Sequence, residues 1–481
     1  MSVDDAQLIS QLESLPNCLR YGAKQLQIRI ARNTNLLPIN NDSVPGNGTG
    51  TVRFRFPSAS IINLSSATVS FISTISGLVI GTGGVSGVDF VNATFPASYK
   101  YIRRVQFFLG GISVAGGLCN QYSQIYHAMV RAVGNSEFCN TKVLEGFTEL
   151  TGGYDASDKY LVQPPAATSK TTYQQIDDFL LLAKGNGGCN EMMIDTSIWN
   201  DLEMQIDFEG PQVLSVYVDG ATASGANVAW ALSQLRLNVD CVSSIPPIYA
   251  SFLAVRSQRP EPIRLVFQNL VSQIQQVSGS NRLQVSSMCI DGILVAPLDS
   301  AYQTFTPFVG NVAAGALTVD ITNNPYFNFD SGLTNTTQAQ WSGLVQVGTS
   351  QYPTTQYNNL YLTADSTLNH YWSNSMAATS LLFLDLSANV SQTSANSDVE
   401  QSKYIPLNFL THNTIWVQSF SLEDGWNNPN KILSGIDTSS TNVEIVVIQS
   451  GISNSRYFLM VGLLSSVIEF DTIARRIRVI Q

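Results

Sequence analysis

Charge is what this sequence has least of. Only 12% of its 481 residues are Asp, Glu, Lys or Arg, about half the share usual in soluble domains. The 35 acidic residues outnumber the 25 basic ones, for a formal net charge of -10. That balance excludes a protein whose main surface grips phosphate backbones. Histidine is scarcer still: His127, His370 and His412. His127 falls on the polar flank of a helical pattern. The other two sit among Asn, Tyr and Thr, with no Cys or carboxylate at ligand spacing. The six cysteines, Cys18, Cys119, Cys139, Cys189, Cys241 and Cys289, are scattered and form no C-x-x-C pair. A zinc site would need close pairs and a disulfide scaffold a higher density, so these read as reduced, buried thiols.

Long apolar runs are missing too. Apolar stretches such as Ile445-Val446-Val447-Ile448 are strand-sized and far short of the ~20 residues that cross a bilayer. The start, Met1-Ser2-Val3-Asp4-Asp5, has neither the basic opening nor the apolar stretch of a secretory signal. A chain synthesised as a soluble protein is expected. Catalytic signatures are absent: there is no P-loop, no H-E-x-x-H, no G-x-S-x-G and no EF-hand loop. Gly81-Thr82-Gly83-Gly84-Val85-Ser86-Gly87 has the wrong spacing for a dinucleotide loop and reads as a turn. The carboxylate pairs Asp4-Asp5, Asp177-Asp178 and Glu423-Asp424 read as solvated loops, since a glycosidase needs two carboxyls facing across a cleft. Sequons at Asn47, Asn63, Asn92, Asn335 and Asn389 are what chance gives in so polar a chain. The expectation is therefore no enzyme, and no catalytic, cofactor or metal site.

What is abundant is uncharged polarity. Asn, Gln, Ser and Thr make up about a third of the chain, beside 34 Gly and 18 Pro, with 44% of residues hydrophobic. Such a composition suits many short strands joined by turns and long loops. The period confirms it. Residues 2–15 read as a short helix with Leu8, Ile9, Leu12 and Leu15 on one stripe, and from residue 25 the period becomes two. Leu26, Ile28 and Ile30 alternate with polar residues, as do Val52, Phe54 and Phe56, and Val69, Phe71, Ser73 and Ile75. Arg104–Leu109 is a strand, Gly110-Gly111 a two-residue hairpin signal, and Ile112-Ser113-Val114 the return. Leu118, Tyr122, Ile125, Tyr126, Met129, Val130 and Val133 then recur at helical spacing. Strands resume at Met204–Phe208, Leu214–Val218 and Leu235–Val239.

Ser243-Ser244-Ile245-Pro246-Pro247 cannot lie in a central strand and marks a boundary. Beyond it, Ile263–Val277 reads as helical or as a strand followed by a helix. Leu283–Ser287 and Ile290–Val295 read as strands, and residues 303–380 as long polar loops. Leu381–Leu386, Ile415–Leu422, Val443–Ile448, Tyr457–Leu464 and Ile473–Ile480 are strand-like. Arg475, Arg476 and Arg478 alternate with Ile477 and Val479, the wet face of a last strand. Two β-rich halves of similar size, each with about eight strands, imply two sandwiches or jelly rolls.

Four segments carry a family resemblance. They are RRVQFFLGGISVAGGLCNQYSQIYHAMV at 103–130, LEMQIDFEG, ALSQLRLNVDCV, and SGIDTSSTNVEIVVIQ at 434–449. The sequence resembles the double jelly-roll major capsid proteins of tailless icosahedral DNA viruses, the lineage of adenoviruses, polinton-like viruses, virophages and membrane-containing bacteriophages. The resemblance implies an all-β chain of two consecutive eight-stranded jelly rolls with long loop insertions and a few short helices. It implies an N-terminal arm at 1–24, a first roll at 25–243 and a second at 244–481. It further implies a homotrimer whose six rolls make a pseudo-hexagonal capsomer of an icosahedral virion. Neighbouring capsomers, penton proteins and minor or cement capsid proteins would be its partners. The Lys/Arg-rich arm of capsid proteins that package nucleic acid directly is missing, which argues against extensive DNA contact and leaves contact with an inner membrane open. Two other readings stand beside it. One is a two-domain β-sandwich that binds carbohydrate or acts as an adhesin; the other is a β-sandwich glycoside hydrolase.

Overall fold

A computed structural model of the chain is dominated by antiparallel strands. It describes residues 31–45, 50–58, 60–81, 89–126, 160–161, 165–176, 193–196, 201–220, 225–242, 262–300, 302, 306–311, 318–319, 342–347, 350–354, 416–419, 435, 437–439, 445–450, 454–471 and 476–480. The helix expected at 2–15, the strand at 26–30, the proline pair and the strand at 381–386 lie outside them.

Up to residue 242 the strands are β1 (Ala31–Leu36), β2 (Thr51–Arg55), β3 (Ile61–Ser76), β4 (Phe90–Thr94), β5 (Ile102–Leu109) and β6 (Ile112–Ala115). They continue with β7 (Tyr160–Leu161), β8 (Ser169–Ile176), β9 (Met193–Asp195), β10 (Leu202–Phe208), β11 (Ser215–Asp219) and β12 (Ala229–Val242). After it come β13 (Ile263–Gln276), β14 (Ser280–Leu283), β15 (Ile290–Leu298), β16 (Phe308–Asn311), β17 (Thr318–Val319) and β18 (Ser342–Val347). The last are β19 (Ser350–Thr354), β20 (Trp416–Ser419), β21 (Ile445–Ser450), β22 (Tyr457–Asp471) and β23 (Arg476–Ile480).

Topology identifies the architecture. Eight early strands form two sheets, β1-β12-β3-β8 and β2-β10-β5-β6. Eight later ones form β13-β22-β15-β20 and β14-β21-β18-β19. Ranked along the chain, each set pairs first with last and second with seventh, giving the orders 1-8-3-6 and 2-7-4-5 both times. That is a jelly roll, made twice. The pattern of side chains explains the first copy. In β2 Val52 and Phe54 are buried between exposed neighbours, and in β10 Leu202, Met204, Ile206 and Phe208 alternate with half-exposed residues. A half-buried sheet needs this period of two. Gly110 and Gly111 take φ of 56° and 81°, which side-chain-bearing residues rarely adopt, and so close the β5–β6 hairpin in the twist its strands require.

Three expectations need correction. Ile263–Val277 contains no helix: β13 is one strand in unbroken register with β22, from Ile263 opposite Phe470 to Gln276 opposite Tyr457. The polar residues that spoiled its two-residue period bond neighbouring backbone instead. Gln273 Nε2 donates to the Gln284 carbonyl (2.9 Å) and Gln275 Nε2 to that of Arg282 (2.7 Å). Leu283–Ser287 is strand only to Leu283. Beyond it Thr438 takes over, donating to the Val285 carbonyl (2.8 Å) and accepting from the Ser287 N–H (3.1 Å). The helix expected from Leu118 begins at Tyr122. Residues 122–126 are helical, Leu118 is exposed in the turn before them, and 127 onward lies outside the described residues.

Candidate functional site

Among the described residues no group of three His, Cys, Asp or Glu comes together, and the candidate surfaces are those that join the rolls or face outward. The first is the seam between the two rolls. β15 buries all nine of its residues and β22 buries Phe458 through Ser466 without a break. Such runs mean that both faces of a sheet are covered. One face meets the second roll's own opposite sheet, where a Cβ on Gly462 would lie 3.3 Å from Leu283 of β14. On the other face Leu294, Ala296 and Leu298 of β15 pair across to Val461, Leu459 and Tyr457 of β22. These side chains belong to one hydrophobic cluster that continues through Val114, Ala115, Cys119, Tyr122 and Ile125 of the first roll.

Polar contacts finish the seam. Residues 116–120 run along the free edge of β13. Ser272 N–H donates to the Leu118 carbonyl (3.1 Å), Asn120 N–H to Ser272 Oγ (3.1 Å), and Gly116 N–H to Asn269 Oδ1 (3.1 Å). Ser272 Oγ also bonds Gln121 Oε1. An open edge invites pairing with other chains, and here it is capped within the molecule. β16 of the second half joins β11 of the first in parallel, Ser215 opposite Phe308 to Val218 opposite Asn311, and β11 pairs in turn with β4. Buried Glu209 receives Gln212 Nε2 (3.0 Å) and Ser123 Oγ (3.3 Å). Burial raises the Tyr302 phenol beside it, and the Glu209 carboxylate adds to that rise.

The first roll's two outward faces differ. Over β2-β10-β5 the face is ionic. Arg55 reaches Glu203 at 2.7 Å, Arg53 donates to Gln205 at 2.7 Å, and Arg104 Nε donates to Asp207 at 2.7 Å. Arg53 also lies 5.5 Å from the Phe108 ring centroid. The basic pair Arg103-Arg104 is thus split, Arg104 being held by Asp207. Over β1-β12-β3-β8 the outward face is Asn33, Asn35, Asn238, Ser233, Ala231, Thr68, Ile72, Thr74, Thr171 and Tyr173. Its two charges are both engaged, Asp240 with Asn33 and Arg236 with Asp42.

Cys119, Cys241 and Cys289 are buried free thiols, as their scatter suggested, and burial pushes Cys119 up to about 12. Arg476 and Arg478 are exposed on β23, with Ile477 and Val479 packed against the core. The three histidines, the other cysteines and the three carboxylate pairs lie outside the described residues. Among the described residues no group of three His, Cys, Asp or Glu could hold a metal ion, and no helix is long and apolar enough to cross a membrane. The seam was not foreseen. Its signal was the consecutive apolar residues Ile293–Ala296 of β15 and Tyr457–Val461 of β22, where a one-sided sheet would alternate.

No protein-family model and no curated protein matches this sequence. Solved structures do. VP54 of PBCV-1, in a crystal structure fitted into a cryo-EM reconstruction of the virophage Sputnik, is 10% identical. That match has a TM-score of 0.50 and covers 92% of this chain and 94% of that one. The mavirus major capsid protein is 11% identical, with a TM-score of 0.44 over 93% of this chain and 89% of that one. The Faustovirus major capsid protein is 10% identical, with a TM-score of 0.46 over 91% and 90%. At such identity the likeness to VP54 is one of fold, and it agrees with the strand orders. The chain is an all-β double jelly roll.

Proposed function

We propose that this protein is the major capsid protein of a tailless icosahedral DNA virus, a structural subunit without catalytic activity. The observation that carries the reading is the doubled strand order, with its two copies fused by a shared hydrophobic cluster and an exchanged strand. Three such chains present six similar rolls, enough for a pseudo-hexagonal block that tiles flat facets. The low charge suits burial between copies, because charged residues are depleted in interface cores. The acidic balance suits solubility before assembly. We assign residues 1–24 to an arm, 25–243 to the first roll and 244–481 to the second. The partners are two further copies, neighbouring capsomers, and penton and minor or cement proteins. The location is the virion, after synthesis as a soluble protein in the host cell.

Light scattering on the purified chain tests this. The expected particle has three times the 52.3 kDa chain mass, resists dilution, and shows a pseudo-hexagonal outline in the electron microscope. A stable monomer that binds glycans would overturn the reading in favour of an adhesin.

A further inference from the structure

Lys170 projects from β8 to β4 and to Phe95 just beyond it. Its Nζ lies 3.1 Å from Asn92 Oδ1 and also contacts the Ala93 carbonyl oxygen. The Phe95 ring centroid is 5.3 Å away. No described carboxylate forms an ion pair with this amine. Burial lowers its pKa to about 8, because desolvation disfavours the charged form. About a tenth of the amine is then neutral at pH 7, and a neutral amine is a nucleophile.

The electrophile is prepared as well. Asn92 Oδ1 accepts the Ala93 N–H at 2.8 Å, a donor placed where negative charge would develop on that oxygen. A carboxyl lies on the same face of the sheet. Asn92 stands opposite Tyr217 and Phe90 opposite Asp219 in the β4–β11 register, so Asp219 shares the face of Asn92 as its diagonal neighbour. Asp219 is only 5% exposed, and its Oδ2 has no hydrogen-bond partner.

We propose that Lys170 and Asn92 become joined by an intramolecular isopeptide bond, with Asp219 carrying the proton. The lone pair on Lys170 Nζ attacks Asn92 Cγ, and the carbonyl π electrons move to Oδ1, held by the Ala93 N–H. Asp219 takes a proton from Nζ and delivers it to Nδ2. Collapse restores the carbonyl and breaks the Cγ–Nδ2 bond. One C–N bond forms, one breaks, ammonia leaves, and nothing is oxidised or reduced. The product ties β8, the edge strand of β1-β12-β3-β8, to β4 of the separate sheet shared with β11 and β16. Contact between Lys170 Nζ and the Asn92 side chain holds the two groups together, which converts a slow encounter into a positioned reaction.

Mass spectrometry of the full-length, denatured and reduced protein reads the bond directly. The expected mass is below the sequence mass by one ammonia. Digestion should give a branched peptide joining the Asn92 and Lys170 segments, uncut after Lys170. Lys170→Arg and Asp219→Asn should each show the unmodified mass in folded, soluble protein. Full sequence mass in the wild-type chain overturns the proposal, as does an ammonia loss mapped to other residues or a glycan on Asn92. A branched peptide that persists in Asp219→Asn overturns the role given to that carboxyl. The wild-type measurement decides even where a variant fails to fold.

Discussion

In the first roll Val52 and Phe54 of β2 point inward between wet neighbours, and β10 repeats the pattern from Leu202 to Phe208. In the second roll β15 buries every residue from Ile290 to Leu298. Strand order is the same in both, and β3 and β12, which hold in the first roll the places of β15 and β22, also alternate buried with half-exposed residues, so topology does not account for the difference. The covering does. The sheet β2-β10-β5 of the first roll turns arginines and carboxylates outward, whereas β15 and β22 lie against the hydrophobic cluster of the first roll. Two copies of one fold can therefore carry different hydrophobic periods, and the unbroken period marks the copy with a neighbour on both sides.

The comparison can be broken most directly at Trp230, which is fully buried and donates its indole N–H to the Gly210 carbonyl at 3.0 Å. Trp230→Ala is expected to lower stability by about 3–5 kcal/mol. Because the cluster is continuous, calorimetry should show one unfolding transition moving as a whole. Two separated transitions would mean that the rolls are energetically independent. Next in size is Leu459→Ala on the seam face of β22, with an expected loss of about 2–5 kcal/mol. Ile72→Ala, on the half-exposed outward face of β3, should cost much less, and equal losses would deny the seam its special burial.

A thiol sharpens the same point. Cys119 packs where the first roll meets β13, and burial lifts its pKa from 9.0 to about 12. Between those values only the unfolded chain gives up the proton. Its contribution to stability is intact below about pH 9 and falls as pH rises toward 12. Native protein at pH 8 should resist alkylation at Cys119 and react there only after denaturation; rapid native labelling would show the seam to be open. The smallest effect belongs to the ionic face. Asp207→Asn is expected to cost less than about 1 kcal/mol, and less again in high salt, as half-exposed pairs do.

How far the sequence could be read follows the same divide. Strands of the first roll were legible because one face is wet, so Phe54, Met204 and Val69 announced themselves by alternation. The Gly110-Gly111 turn was legible because few residues other than glycine tolerate its backbone angles. β13 was not, since Asn269 and Gln273 interrupt the alternating set of Ile263, Leu265, Phe267 and Val271, while Ser272 interrupts that of Val266, Leu270 and Ile274, so neither face reads as apolar. Their partners, residues 116–121 and Gln284, are chosen by tertiary contact. The polar contacts of the seam were illegible for the same reason: nothing local connects Leu118 to Ser272, 154 positions away in sequence. Lys170 gave no hint either, as a single cation in a run of Ser and Thr looks like any solvated side chain.

The parallel pairing of β11 with β16 has a mechanical corollary. Two packed units give way first wherever one can pivot on the other. Here a ribbon from one barrel is laced alongside a ribbon of the other, so any pivot has to shear a row of backbone hydrogen bonds together instead of peeling them one by one.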